Sequence, residues 1–270
     1  MGGQILGDRY EVERQLGKKS GRWTLLARDL QTQDLVILKV LFLDDSLKAT
    51  DLKLFKREIE ALKLLTHPAT PRYLSYFEME LPTQDQAMIL VQSYIEGLSL
   101  KQFLAEGRIL SEADAIAIAR QVLSILDSLH HHSPPIVHRD IRPGNILLQR
   151  HVPTPTAQVY LVDFGTVKSL NSGNTSFTIV GTDGYLPPEQ AAGRVLAVSD
   201  LYSLGATLAE CLTGLSPTQM QGKSMRIQFE EYVNLSPGFA QWLKQLLTPS
   251  LDRRWPSAQV ALEALNAGVA

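Results

Sequence analysis

His138-Arg139-Asp140-Ile141-Arg142-Pro143-Gly144-Asn145 and, after two short predicted strands, Leu161-Val162-Asp163-Phe164-Gly165 form the stretch on which the reading of this chain turns. Taken alone, either His138-Arg139-Asp140 or Asp163-Phe164-Gly165 reads as ordinary turn residues. Their order within the surrounding elements is what gives them meaning. Between them, residues 150–158, with prolines at 153 and 155, read as a surface turn joining the two strands. Upstream, the spacing predicts a helix over 111–131 with Ser111 as N-cap and acidic Glu112 and Asp114 in its first turn, where they favour the helix dipole. Downstream, further helices are expected over 199–212, 239–247 and 258–265, the last behind Ser257 as cap. The first 95 or so residues differ: period-two segments at 10–16, 23–28, 36–41, 73–77 and 87–92 predict five strands. A single helix over 51–65 interrupts them, with Leu52, Phe55, Ile59, Leu62 and Leu65 on one face.

The chain has 270 residues, 44% hydrophobic and 20% charged, enough for one large domain or two lobes with sizeable cores. Its 26 basic against 28 acidic residues give a formal charge of -2, divided evenly on either side of Leu100. That balance argues against binding to nucleic acid or an anionic membrane. The densest apolar stretch, 35–43, is interrupted by Lys39 and falls short of the roughly 20 residues of a spanning helix. Residues 1–16 alternate charged and apolar side chains rather than forming a secretory leader. With Cys211 the only cysteine, no internal disulfide can form, and a reducing, cytoplasmic setting is expected.

The quoted stretch resembles the catalytic loop and the metal-binding loop of protein kinases. Lys39, on a predicted strand in Val36-Ile37-Leu38-Lys39, and Glu58, on the following helix, match the lysine and glutamate of that family in order. Gly181-Thr182-Asp183-Gly184-Tyr185-Leu186-Pro187-Pro188-Glu189 resembles the end of its activation segment, with Asp200 and Arg254 at their expected places after it. The resemblance spans nearly the whole chain. It implies a two-lobed α+β fold: a small five-stranded antiparallel lobe with one helix over 1–92, a hinge at 93–97 and a mainly helical lobe over 98–270. It further implies that ATP lies between the lobes and that Mg²⁺ is held by Asn145 and Asp163. Asp140 would stand near the attacking hydroxyl, Lys39 on the α and β phosphates and paired with Glu58, and Arg142 on the γ-phosphate in place of the family's lysine. Adenine would bond to the backbone of Ser93 and Ile95 and pack between Leu16, Thr24, Ile37 and Leu147, with Gln92 at the back and Gly17 also in the ATP site. Arg142-Pro143 and Gly181-Thr182 resemble the Ser/Thr type, and Thr182 would contact Asp140. Small-molecule phosphotransferases share a similar catalytic loop but are not expected to carry the Gly-Thr to Pro-Pro-Glu segment. The Pro-Pro-Ile-Val before His138 resembles bacterial kinases of the eukaryotic type.

The implied partners are protein substrates and, for autophosphorylation, a second copy of the chain. Arg139 is expected to meet a phosphate carried on Thr175, Ser176 or Thr178. Departures bear on activity. Where the family has G-x-G-x-x-G over the nucleotide, only Gly17 matches, while Lys19 and Arg22 occupy the second and third glycine places. Thr24 and Ile37 stand where Val and Ala are usual. These changes leave a second reading open, a weak or inactive pseudokinase that binds nucleotide or serves as a scaffold. Lys18, Lys19 and Arg22 read either as a solvated basic loop or as phosphate contacts. His130-His131-His132 reads as a solvated helix end rather than a metal site, Cys211 as a buried structural thiol, and Trp23, Trp242 and Trp255 as packing residues.

Overall fold

The computed structural model describes residues 2–19, 21–44, 47–80, 86–149, 157–166, 168–169, 182, 184–222 and 226–268. The surface turn expected over 150–158 therefore lies largely outside the described residues. The chain divides into two compact units, Met1–Glu96 and Gly97–Ala270.

In the first unit one antiparallel sheet is built from β1 (Ile5–Leu6), β2 (Tyr10–Lys19), β3 (Arg22–Asp29), β4 (Leu35–Leu43), β5 (Tyr73–Glu80) and β6 (Gln86–Ser93), in the order β1-β2-β3-β4-β6-β5. Helix α1 (Ala49–Leu64) lies between β4 and β5 in the chain. The sheet has six strands rather than the expected five. The added β1 is two residues long, too short to show alternation, and is held by pairing Ile5 with Glu11 and Leu6 with Tyr10. Alternation sorts the rest. Trp23, Leu25 and Ala27 of β3, Val36, Leu38 and Val40 of β4, and Ala87, Ile89 and Val91 of β6 pack in one apolar cluster, joined by Tyr10 and Val12. The other face therefore carries Arg22, Thr24 and Leu26, then Ile37, Lys39 and Leu41, then Met88, Leu90 and Gln92. Because Lys39 contacts Glu58 of α1, this second face is the one α1 covers. Apolar residues on both sides of β4 explain its near-continuous hydrophobic run: Val36, Leu38 and Leu41 are fully or almost fully buried.

The second unit is mainly helical. It opens with β7 (Leu98–Ser99) and α2 (Leu100–Ala105), started by a capping box in which Ser99 and Gln102 satisfy each other's backbone donors. Then follow α3 (Glu112–His130), β8 (Ile136–Val137), β9 (Ile146–Leu148), β10 (Val159–Leu161), β11 (Lys168–Ser169), α4 (Pro188–Ala191), α5 (Ala197–Thr213), α6 (Pro237–Leu246) and α7 (Ala258–Gly268). Ser111 caps α3 as expected, accepting the Asp114 N–H at 3.2 Å, and Ser257 Oγ accepts the Val260 N–H at the start of α7. Helix α5 is the core of this unit: every residue from Ser199 to Ala209 is buried. Such a helix, buried all round, needs protein on every side, with partners for its polar Ser199, Asp200, Ser203 and Thr207. Cys211 is buried on it, and burial lifts its thiol well above the ordinary value, so it packs as a small hydrophobe. Trp242 is buried and Trp255 donates its indole N–H to the Trp242 carbonyl, so both are packing residues. Among the described residues no helix is long and apolar enough to cross a membrane.

Candidate active site

In the first unit, strand register alone gathers the residues expected to meet a nucleotide. Thr24 pairs with Lys39, Ile37 with Gln92 and Gly17 with Thr24, so Thr24, Ile37, Lys39 and Gln92 share the face that α1 covers. The Lys39 ammonium bonds the Glu58 carboxylate, with side chains 14% and 3% exposed. A carboxylate buried to that degree needs a cation, and Lys39 satisfies it. Gln92 is buried, Leu16 is 41% exposed, and the N–H of Ser93 is committed to the Arg72 carbonyl at 2.9 Å. Ile95 lies half-buried beyond the end of β6.

The basic residues at the β2–β3 turn divide: Lys18 is exposed, as a solvated loop residue would be, and Arg22 is not. Lys18 lies over the Trp23 ring at 5.3 Å, and Arg22 bonds the Asp51 carbonyl in the first turn of α1. Arg22 is thus neither a solvated loop residue nor a spare cation. The side chain of Lys19 lies outside the described residues.

In the second unit the hairpin of β9 and β10 brings the catalytic-loop residues together. Ile146 pairs with Leu161 and the Val162 N–H donates to the Asn145 carbonyl at 2.9 Å, placing Asn145 beside Asp163 across 18 positions of chain. Leu147 is half-buried in the middle of β9, opposite Tyr160. Asp140 is held by three donors. Arg142 Nε and Asn145 Nδ2 each reach Oδ2 at 3.0 Å, while Thr182 Oγ1 reaches Oδ1 at 3.0 Å. Asn145 Nδ2 also donates to the Asp140 carbonyl at 2.8 Å, so its amide oxygen is the atom left for a ligand. Arg142 and Gly144 go together. A Cβ built on Gly144 would sit 2.9 Å from Arg142 Nη1, so glycine there leaves the guanidinium its room. Among the described residues no cluster of His, Cys, Asp or Glu could hold a metal unaided. Asn145 Oδ1 and the Asp163 carboxylate are hard oxygen donors at one end of a hairpin, which suits Mg²⁺ when phosphate oxygens and water complete its shell.

Behind this loop stands Asp200, fully buried in the first turn of α5. Its Oδ1 accepts the Arg139 N–H at 2.8 Å, and its Oδ2 accepts the His138 N–H and His130 Nε2, each at 2.9 Å. His130 therefore departs from the solvated helix end expected of it: its side chain is 7% exposed, whereas that of His131 is 65% exposed. Arg139 adopts φ 71°, a left-handed conformation costly for a side-chain-bearing residue and held here by the Asp200 bond. Its guanidinium donates to the Thr166 carbonyl at 3.2 Å. Thr175, Ser176 and Thr178, expected to carry a phosphate for Arg139, lie outside the described residues, as do Gly181 and Asp183. Sequence reasoning missed His130, Thr166, Ser199 and Gln190. None belongs to a local pattern, since each acts across the fold: Gln190 donates to the Arg139 carbonyl and Ser199 to Glu189.

His138 carries a pH prediction. Burial pushes its imidazole below the ordinary 6.5, against the opposing pull of Asp200, Asp140 and Asp163. The ring is neutral by geometry as well, because Nε2 bonds the Val162 carbonyl at 3.1 Å while Nδ1 accepts the Asp140 N–H at 3.3 Å. The unfolded chain thus binds a proton that the folded one refuses, and stability should fall as pH drops below about 6.5. Urea midpoints at several pH values should show that slope in the wild type and a shallower one in His138→Phe. Equal slopes would remove His138 as the cause.

The protein kinase domain family matches residues 10–264. Serine/threonine-protein kinase B of Synechocystis sp. is 33% identical over 97% of this chain and 47% of its own length. Serine/threonine-protein kinase PknA of Nostoc sp. is 34% identical over 98% of this chain and 48% of its own. Serine/threonine-protein kinase PrkC of Bacillus subtilis is 32% identical over 80% of this chain and 32% of its own. The chain thus spans about half the length, or less, of these curated relatives.

Proposed function

From the premise that this chain belongs to the protein kinase domain family, we propose that it transfers the γ-phosphoryl group of Mg-ATP to serine and threonine hydroxyls of proteins. The observation that carries the proposal is Asp140. Arg142 and Asn145 fix one carboxylate oxygen, and a threonine hydroxyl already bonds the other at 3.0 Å. That is the contact an acceptor hydroxyl needs in order to pass its proton as phosphate is transferred. Arg142 neutralises charge on the transferred group, and Lys39, oriented by Glu58, neutralises it on the α and β phosphates. Asn145 and Asp163 would hold Mg²⁺, which when bound neutralises phosphate charge. Within the first unit, adenine packs on Leu16, Thr24 and Ile37, passes Gln92 and bonds to the backbone of Ser93 and Ile95. The Ser/Thr preference is supported by Arg142-Pro143, by Thr182 on Asp140 and by the relatives being serine/threonine-protein kinases by name. The need for ATP and the single cysteine support a cytoplasmic setting.

The loss of two loop glycines favours a second reading, nucleotide binding without transfer. One assay separates them: incubation with γ-labelled ATP and Mg²⁺, with a generic Ser/Thr acceptor and a tyrosine polymer in parallel. Label on Ser/Thr that disappears on chelation is expected. Bound nucleotide with no label, or label on tyrosine alone, overturns the proposal. Mass spectrometry of the same incubation at Thr175, Ser176 and Thr178 tests autophosphorylation.

A further inference from the structure

Arg22 stands where a nucleotide-covering loop would have its third glycine, and its geometry gives it a task that glycine lacks. It opens β3 immediately after the turn: Lys19 pairs with Arg22, leaving residues 20 and 21 as a two-residue connection. Gly21 takes φ 67° there and its carbonyl accepts the Phe42 N–H at 3.0 Å, so the turn is fastened to β4. Arg22 Nη2 donates to the Asp51 backbone carbonyl and lies 3.6 Å from Asp51 Oδ1. A carbonyl has two lone pairs, so accepting Arg22 need not take Asp51 out of the helical ladder.

Asp51 lies in the first turn of α1 and Glu58 seven residues further on. Seven residues are almost two turns, so both lie on one helix face, separated by about 10 Å along the axis. Across from them, Arg22 and Lys39 lie on one face of the sheet, since Thr24, two residues from Arg22, pairs with Lys39. Helix α1 is therefore fastened to the sheet at two polar points, Arg22 on its first turn and Lys39 on Glu58.

We propose that Arg22 is a positioning residue: by clamping the first turn of α1 it holds Glu58 within reach of Lys39 and so keeps the Lys39 ammonium in place for nucleotide phosphate. It touches no reacting atom. Its arrival at a glycine place exchanges loop freedom for helix placement. The second attachment matters because a helix pinned at one point can pivot, and a freed Lys39 side chain has four rotatable bonds to order when a phosphate arrives.

The inference rests on the reading of this chain as an ATP-using kinase, so its test includes a measurement independent of nucleotide. Arg22→Met keeps the aliphatic stem and removes the guanidinium, whereas Arg22→Lys keeps a cation. Each is made in the wild type and in Glu58→Gln, with thermal unfolding as the folding control. The first readout is the rate at which an amine-reactive ester labels Lys39 in the nucleotide-free protein, followed by mass spectrometry. The second is the affinity for Mg-ATP. Arg22→Met should speed Lys39 labelling and weaken ATP binding, each by about fivefold, the size expected of a charge-assisted bond partly open to solvent. Arg22→Lys should return both to within about twofold, a single ammonium donor replacing part of the fork. In Glu58→Gln, Arg22→Met should add nothing, because the group it positions is already lost. Unchanged Lys39 labelling in Arg22→Met, or equal effects with and without Glu58, overturns the proposal. A wild type that shows the labelling effect but transfers no phosphate overturns the kinase reading and leaves the role of Arg22 standing.

Discussion

Replacing Asp140 with Asn should lower phosphoryl transfer by about 10²- to 10⁴-fold while leaving the fold intact. The bonds around Asp140 show why the two effects separate. Arg142 Nε and Asn145 Nδ2 both donate to Oδ2, so the amide oxygen of an Asn would take that place. Its NH₂ would then face Thr182 Oγ1, a hydroxyl that accepts as readily as it donates. Every partner stays satisfied, and only the capacity to accept a proton is lost. Initial rates with γ-labelled ATP and urea midpoints measured on the same preparation check both halves. Transfer within tenfold of wild type removes Asp140 from its role. A large loss of stability shows that the carboxylate charge, rather than its shape, holds the loop.

The second large effect falls on stability. Arg254 and Glu189 pair through two bonds, Nη1 to Oε1 at 2.6 Å and Nη2 to Oε2 at 3.1 Å, with side chains 0% and 5% exposed. Arg254 also donates to the carbonyls of Thr248, Val198 and Pro249, and Ser199 donates to Glu189. Removing one member strands a buried charge, so Glu189→Gln and Arg254→Met should each cost about 3–5 kcal/mol in urea unfolding. Replacing both by apolar residues should recover part of that, since the desolvation of two ions disappears with them. A loss below about 1 kcal/mol in either single variant would mean that water reaches the pair. The pair also has a pH signature. Burial alone would raise the Glu189 carboxyl, but bonding to Arg254 outweighs it and leaves the group below its ordinary 4.5. Its contribution is then fully present above about pH 4.5 and is lost as pH falls through the lowered value, so the gap between wild type and Arg254→Met should narrow in acid.

Much of the site was legible because chemistry and local order travel together in the chain. Lys39 announces itself as the one charge inside an apolar run, and Ser111 announces the start of α3. Alternation marked the strands that carry Thr24, Ile37, Lys39 and Gln92, but it was the pairing register that set the four on one face. The two-residue strands and the six-residue α2 were not legible, being shorter than a period of the pattern that would reveal them. Nor was the burial of His130, which next to His131 and His132 looks like a solvated helix end until Asp200, 70 positions away, is set against it.

Hydrophobic alternation and capping act over a few residues, so chain order was enough to set which face of its own element each group occupies. What each charge is bonded to depends on the folded arrangement. Arg22 could have been solvated or a phosphate ligand and is instead bound to Asp51, 29 positions on. Arg254 is bound to Glu189 across 65. A charge taken out of water must find a partner, and chain folding, not chain order, decides which one comes within 3 Å.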